Sequence, residues 1–229
     1  ANQKTPTSVK FPSFLPTAAG LILFVTTTRA GDWLDQSYVT IDVGPAFTQN
    51  FDVDSSSVNV ADVVTRSIKP GIRGDLTFGH SLGPHWALEF ETGVSWNPGS
   101  NPSDDLYQIP FLLNARYRVL LNDNWTIDLR AGPGGVYTKL GAVALPSFPF
   151  FPPREVDLAG FALACQAGAG VNYRISPRAE LNLDYKFLGS FWHSWESQIL
   201  TITGEMRGFT AEADTIFTHS VLLSLTLKF

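Results

Sequence analysis

The sequence predicts an all-β fold, an eight-stranded antiparallel up-and-down transmembrane β-barrel. Apolar side chains recur at every second position in one segment after another, which is the period of a β-strand. The connections between these segments are alternately short and long, as in a barrel whose two rims face different compartments. The charged residues within the segments keep to one parity, opposite to the apolar residues.

Eight strands are predicted, and each is long enough to cross a bilayer at a tilt, which takes about 9 to 11 residues. Their predicted ranges are 38–49, 67–80, 85–96, 106–121, 125–137, 161–175, 179–187 and 215–229. The short connections contain turn-forming residues and span 81–84, 122–124 and 176–178. The long connections span 50–66, 97–105, 138–160 and 188–214.

The charges on the polar parity are nearly balanced in sign, with eight basic and seven acidic residues. We predict that they form a lumen charge network of Asp42, Lys69, Arg73, Asp75, Glu89, Glu91, Arg116, Arg118, Asp128, Arg130, Arg174, Glu180, Asp184, Lys186 and Lys228. An eight-stranded barrel is only just wide enough for its own side chains to fill it, and buried charges must be paired. We therefore expect a lumen closed by a salt-bridge network. The alternative is a narrow porin-like channel for small solutes.

Residues 1–30 are predicted to be a signal peptide, followed by one barrel domain over residues 31–229. Lys4 and Lys10 precede an apolar run, and Thr28 and Ala30 supply small residues where a signal peptidase cleaves. The apolar run is too short for a membrane-spanning helix, which takes about 20 residues. Because the chain begins at Ala1 rather than Met, we expect this signal peptide to be N-terminally incomplete.

Two segments carry a family resemblance: the terminal strand HSVLLSLTLKF and the hairpin GVNYRISPRAELNLDYK. With these segments, residues 38–229 resemble the OmpA-like and opacity-type outer-membrane β-barrel family. The resemblance implies a bacterial outer-membrane location, with outer-membrane lipid and lipopolysaccharide as neighbours. It also implies that the barrel-assembly machinery is a partner during biogenesis. The assembly signal that this machinery would read consists of Phe217, Val221, Leu223, Leu225, Leu227 and Phe229.

The sequence contains no recognisable catalytic, cofactor-binding or metal-binding motif, so we predict that the protein is not an enzyme. His219 and Ser220 are adjacent in a predicted strand and therefore point to opposite faces, which excludes a nucleophile–base pair. His193 and Ser194 lie in a predicted loop, where this argument does not apply. Removal of the predicted signal peptide, with its basic residues Lys4, Lys10 and Arg29, changes the formal net charge from -5 to -8, which argues against nucleic acid as a partner.

Two apolar segments interrupt the predicted long loops, and exposed apolar patches often mark contacts with a partner. They supply the candidate loop contacts Phe148, Phe150, Phe151, Trp192 and Trp195, whose surface ligand is unknown. Packing over the barrel mouth or against the outer leaflet is the alternative interpretation. The predicted function is a structural or surface-interaction role of the adhesin or opacity type. A soluble ligand carrier would reverse the pattern and place apolar side chains inside the barrel.

Overall fold

The computed structural model describes residues 36–57, 60–100, 105–144, 155–200 and 206–229. The chain divides into two units, Ala1–Gly31 and Asp32–Phe229. The predicted signal peptide, residues 1–30, lies outside the described residues. Within the described ranges, no helix combines the length and apolarity that a membrane-spanning helix requires.

The secondary structure in these ranges consists of antiparallel strands. The strands are β1 (Ser37–Thr48), β2 (Phe51–Ser57), β3 (Val60–Arg66), β4 (Gly71–Ser81), β5 (Trp86–Asn97), β6 (Leu106–Leu120), β7 (Trp125–Ala144), β8 (Glu155–Ser176), β9 (Ala179–Leu200) and β10 (Met206–Lys228). Strands β1 and β4 to β10 pair in that order, and β10 pairs back onto β1, so that eight strands form a closed ring. The predicted eight-stranded antiparallel fold is confirmed.

Strands β2 and β3 occupy the predicted loop 50–66 and continue two strands of the ring. Along β10, Thr218 lies opposite Thr48 of β1 and Glu212 lies opposite Asp54 of β2, in one unbroken register. Strand β3 pairs with β2 in the same antiparallel sense in which β4 pairs with β1. The hairpin therefore lengthens the barrel wall instead of folding over its mouth.

The prediction of long loops at 138–160 and 188–214 was largely wrong, because strands β7 to β10 continue through most of these two ranges. The alternation that marks a strand is interrupted there. Ser190 and His193 of β9 are both buried although they are three residues apart, and so are Ala213 and Ile216 of β10. Between the first two lies Trp192, whose φ of 58° reverses the direction in which the following side chains point. The barrel consequently has a strand-built extension on the side opposite the tight turns.

The outer surface of the ring is apolar. Val43, Leu183 and Leu223 expose 52%, 58% and 54% of their surface, whereas Asp42 and Asp184, the chain neighbours of the first two, are buried. Aromatic pairs form two bands, near the tight turns (Trp86–Tyr117 and Trp125–Tyr173) and near the extension (Tyr137–Phe161 and Phe187–Phe217). An apolar band between two aromatic bands is the surface of a barrel that spans a bilayer.

Candidate functional site

The lumen near the tight turns is filled by charged side chains, and Lys186 lies at the centre of one group of them. Its ammonium nitrogen lies 2.8 Å from Asp42 Oδ2 and 3.0 Å from both Asp75 Oδ2 and Glu91 Oε2. The Arg73 guanidinium donates to the same Asp75 and Glu91 at 2.9 Å. All of these side chains are almost completely buried. This one ammonium group thus joins strands β1, β4, β5 and β9.

A second group of charges lies one layer closer to the tight turns. Arg118 makes a two-bonded pair with Asp128, at 2.8 Å and 2.9 Å, and also reaches Glu180 at 3.0 Å. Lys228 contacts the same Glu180. Two parallel hydrogen bonds match the planar guanidinium to the carboxylate, and they fix the orientation of the two side chains as well as adding to the attraction between the charges.

Tyr38, Glu89 and Arg116 extend the second group through Asp128. The Tyr38 hydroxyl donates to Glu89 at 2.7 Å, and the Arg116 guanidinium lies 4.3 Å above the Tyr38 ring. Arg116 also lies 3.4 Å from Glu89 and 3.5 Å from Asp128. A further basic residue of the lumen, Arg130, pairs with Asp184 at 3.1 Å.

Two of the fifteen residues predicted for the lumen network lie elsewhere. Lys69 is exposed in the break between β3 and β4, where its ammonium group reaches the carbonyl of Ser100. Arg174 is exposed beside an irregularity in the β8–β9 register at the tight turn. Both predictions were wrong because strict alternation does not hold next to a strand break. The other thirteen residues face the lumen, with Lys228 partly exposed at its rim.

Buried apolar side chains enter the lumen towards the extension, beside buried polar residues such as Gln108, Thr138 and Thr218, and this mixed layer was not predicted. One cluster of buried residues contains Phe51, Val53, Ile68, Leu106, Leu140, Leu158, Ala211, Ala213, Trp195 and Ile216. Another contains Leu112, Val136, Ala162, Ala164 and Leu188. Leu112 and Val136 share the inward parity of Gln108 and Arg130, and this was the signal in the sequence that could have revealed these apolar side chains. The barrel interior therefore has a charged layer near the tight turns and a layer of mixed apolar and polar side chains towards the extension.

The candidate loop contacts have different environments. Trp195 is buried and stacks on His193 at 5.3 Å between ring centroids, so the prediction of a surface contact was wrong for this residue. Trp192 is 72% exposed. Phe148, Phe150 and Phe151 lie outside the described residues.

His193 and Ser190 form a buried pair that the sequence did not indicate. His193 Nε2 lies 2.8 Å from Ser190 Oγ, which also donates to the carbonyl of Ile216 at 3.2 Å. Burial in the extension, beyond the apolar band, lowers the pKa of His193 to about 4. A histidine with so low a pKa is a weak base at neutral pH, so this pair is better suited to holding β9 against β10 than to activating a nucleophile.

The residues of the predicted assembly signal share the outer face of β10. Val221, Leu223, Leu225, Leu227 and Phe229 expose between 40% and 58% of their surface, and Phe217 lies on the same face. Their side chains point away from the lumen and belong to the apolar outer surface. Recognition of these residues by the assembly machinery stays a prediction.

Solved structures with the same fold are outer-membrane barrels. Neisserial surface protein A is 13% identical, with a TM-score of 0.54 over 85% of this chain and 97% of that one. OprG from Pseudomonas aeruginosa is 13% identical, with a TM-score of 0.54 over 86% of this chain and 99% of that one. A major outer membrane protein from Thermus thermophilus is 12% identical, with a TM-score of 0.55 over 84% of this chain and 99% of that one. At these identities the likeness concerns the fold alone.

No curated protein matches the sequence significantly. The family model of the outer membrane protein beta-barrel domain matches residues 17–229. The match includes every strand of the closed ring. The chain therefore belongs to the outer membrane β-barrel protein family, and its location is the bacterial outer membrane.

Proposed function

We propose that this protein is a non-conducting outer-membrane barrel with a surface-interaction role of the adhesin or opacity type. In this proposal the lumen is closed, and the strand-built extension presents a contact surface outside the cell. The observation that carries the proposal is the filling of the barrel interior at two levels. Buried ion pairs occupy the layer near the tight turns, and packed apolar and polar side chains occupy the layer above it.

The ion pairs favour a closed lumen for an energetic reason. Lys186 bridges carboxylates on three other strands, so a solute passing this level would separate several charges that are shielded from water. Removing one partner from a buried ion pair costs about 3–5 kcal/mol, because it leaves the other charge buried and uncompensated. The packed layer above adds a second barrier, because an ion entering it would lose its hydration.

Conductance across a planar bilayer tests closure of the lumen. The expected result is no steady current from the refolded barrel, whose folded state is checked by its heat-dependent mobility on a denaturing gel. A steady open channel from the unmodified protein would replace the proposal with a channel for small solutes. Lys186→Ala serves as the informative variant, because loss of the central ammonium group is expected to produce intermittent currents.

Trp192 is our candidate for the contact surface of the extension. A non-glycine residue in the left-handed region costs about 1–2 kcal/mol, and the large ring is directed outward despite this cost. Backbone strain of this kind is often retained at sites that bind a partner. The name of Neisserial surface protein A fits a surface role for this fold, although the likeness to that protein extends only to architecture.

Adhesion of cells that produce the protein tests the surface role. Such cells are expected to adhere to an epithelial cell layer more than cells lacking the protein, and Trp192→Ala is expected to remove most of the difference. Trp86→Phe, at the opposite end of the barrel, is the control and should leave adhesion unchanged. Equal adhesion with and without the protein would contradict the surface role and leave closure of the lumen as a separate result.

A further inference from the structure

The wall of the extension has an open edge at β3. Within the described ranges, the ring nearer the tight turns contains eight strands, whereas the extension contains six, in the order β7, β8, β9, β10, β2 and β3. Strand β5 ends at Asn97 and β6 begins at Leu106, so these two strands stop short of the extension. The Ser100 backbone nitrogen donates to the carbonyl of Ser67, one residue after β3 ends. Among the described strands, β3 therefore pairs with β2 alone.

The sequence of β3 does not protect this edge. Edge strands are commonly protected from further pairing by Pro or Lys, and β3, with the sequence VADVVTR, contains neither. Val63 and Val64 face opposite sides of the sheet and expose 62% and 39% of their surface. The outer side of an edge strand presents backbone N–H and C=O groups onto which an extended peptide can add as a further strand. The edge thus offers a place for one more strand, with an exposed apolar side chain on each face.

The outer face beside this edge is acidic. Asp52, Asp54, Glu212 and Asp214 are exposed there. Glu212 lies opposite Asp54 in the sheet, and Asp54 lies opposite Val63. Three of the four, the aspartates, line a polar cavity of about 400 Å³ that extends to Val63. No Lys or Arg is exposed among the described side chains of β2, β3 and this part of β10. The charge of this face is therefore complementary to a basic partner.

Trp192 lies beside the same acidic face. The chain neighbours of Trp192 and Asp214 pair with each other, so these two residues occupy facing positions on β9 and β10. Both are exposed. An aromatic ring attracts a Lys or Arg side chain over its face, and a carboxylate attracts the same charge. The contact surface suggested by Trp192 thus continues into the acidic face and ends at β3.

We propose that β3 binds an extended basic segment of a partner protein, which adds one strand to the wall of the extension. Basic residues of the segment lie beside Val63 and Thr65 on the outer face. They are about 10 Å, or two strand spacings, from Asp54 and Asp52, which the long side chains of Lys and Arg bridge. The alternate residues are apolar and cover Val64 on the inner face. The inference rests on the proposed surface role, for which it names the class of partner.

A second copy of this chain does not fit the edge. Pairing of β3 with β3 would bring two acidic faces together, and like charges brought together at an interface oppose binding. Asp62 within β3 adds a further negative charge to each copy. A basic segment meets no such repulsion.

The probe is a short fluorescently labelled peptide in which Lys and Val alternate, and its binding to the refolded barrel in a nonionic detergent is measured by fluorescence anisotropy. We expect saturable binding of this peptide and none of a peptide with Glu in place of Lys. N-methylation of the peptide's backbone nitrogens keeps its charges and removes its backbone donors. We expect it to weaken binding about tenfold or more, as for the loss of two or more hydrogen bonds.

Two substitutions that remove one negative charge each form a matched pair. Asp54→Asn changes the acidic face, whereas Asp123→Asn changes an exposed residue of a tight turn at the opposite end of the barrel. Asp54→Asn is expected to weaken binding about two- to fivefold, as for the loss of an exposed ion pair, and Asp123→Asn to leave it unchanged. Val63→Lys places a positive charge at an exposed position of the edge and is expected to weaken binding further.

Equal binding of the N-methylated peptide would overturn the inference, because attraction between charges would then suffice without an added strand. Equal effects of Asp54→Asn and Asp123→Asn would overturn it as well, since the net charge of the barrel would then account for binding. Each variant is checked for its heat-dependent mobility shift, and Asp54→Asn decides the question even if Val63→Lys prevents folding. Adhesion that depends on Trp192, without any binding of the basic peptide, would overturn this inference alone and leave the surface role in place.

Discussion

The Lys186 ammonium group lies 2.8 Å from Asp42 across the barrel interior, although the two residues are 144 positions apart in the chain. The same ammonium group also bonds Asp75, so one side chain joins strands that are distant in sequence. A contact of this kind forms only when the ring of strands is almost complete. The free energy of this contact therefore contributes to the stability of the closed barrel and not to that of any single strand or hairpin.

Replacement of Lys186 by Met is expected to destabilise the barrel by about 3–5 kcal/mol, because it leaves a cluster of buried carboxylates without its central cation. The measurement is urea unfolding of the refolded protein in detergent, followed by tryptophan fluorescence. Lys69→Met is the control, since the Lys69 side chain is exposed, and it should change stability by less than about 0.5 kcal/mol. Equal effects of the two substitutions on the free energy of unfolding would show that the Lys186 ion pairs do not stabilise the barrel.

Replacement of Gly79 by Ala is expected to cost about 1–3 kcal/mol, because the new methyl group would occupy the position of the Tyr38 ring. Displacement of that ring would also break its hydrogen bond to Glu89. Gly74→Ala, on the same strand, provides the control, because its methyl group would lie 3.6 Å from the Asp42 carbonyl in an ordinary contact. The same unfolding titration separates the two variants, and a neutral Gly79→Ala would refute the close packing of Tyr38.

The extension is expected to lose stability as the pH falls from about 6.5 towards 4. Burial lowers the pKa of His193 from 6.5 to about 4, so the unfolded chain takes up this proton at a higher pH than the folded chain. The contribution of His193 is therefore complete above pH 6.5 and is lost as the pH approaches 4. Limited proteolysis across this range measures the loss, and His193→Gln should flatten it. If His193→Gln loses stability over the same pH range as the unmodified protein, titratable groups other than His193 cause the loss.

The sequence predicts strand positions well where the membrane and the lumen constrain the two faces of a strand. The predicted ranges 106–121 and 179–187 begin at the first residues of β6 and β9, because lipid outside and charges inside enforce strict alternation. Beyond the bilayer the outer face need not be apolar, so the signal weakens where β9 continues to Leu200. For this reason the sequence predicts loops where the strands of the extension lie.

The Ser190–His193 pair was beyond sequence reasoning for a different reason. Residues three apart in a regular strand point to opposite faces, and these two meet only because Trp192 has a positive φ. Glycine and asparagine often adopt a positive φ, whereas tryptophan rarely does, so the sequence gives no signal of this conformation. The lumen charges, in contrast, could be assigned from parity alone, except for Lys69 and Arg174 beside irregular backbone.

The seam between the first and the last strand has a consequence for biogenesis. Thr40 and Thr226 share a hydrogen bond of 2.8 Å across this seam, although 186 positions separate them. A chain that stopped before β10 would leave β1 and β9 with unpaired backbone groups inside the hydrocarbon, where no water can satisfy them. A chain that lacks β10 is therefore unstable in the bilayer, and only a chain that includes β10 inserts stably.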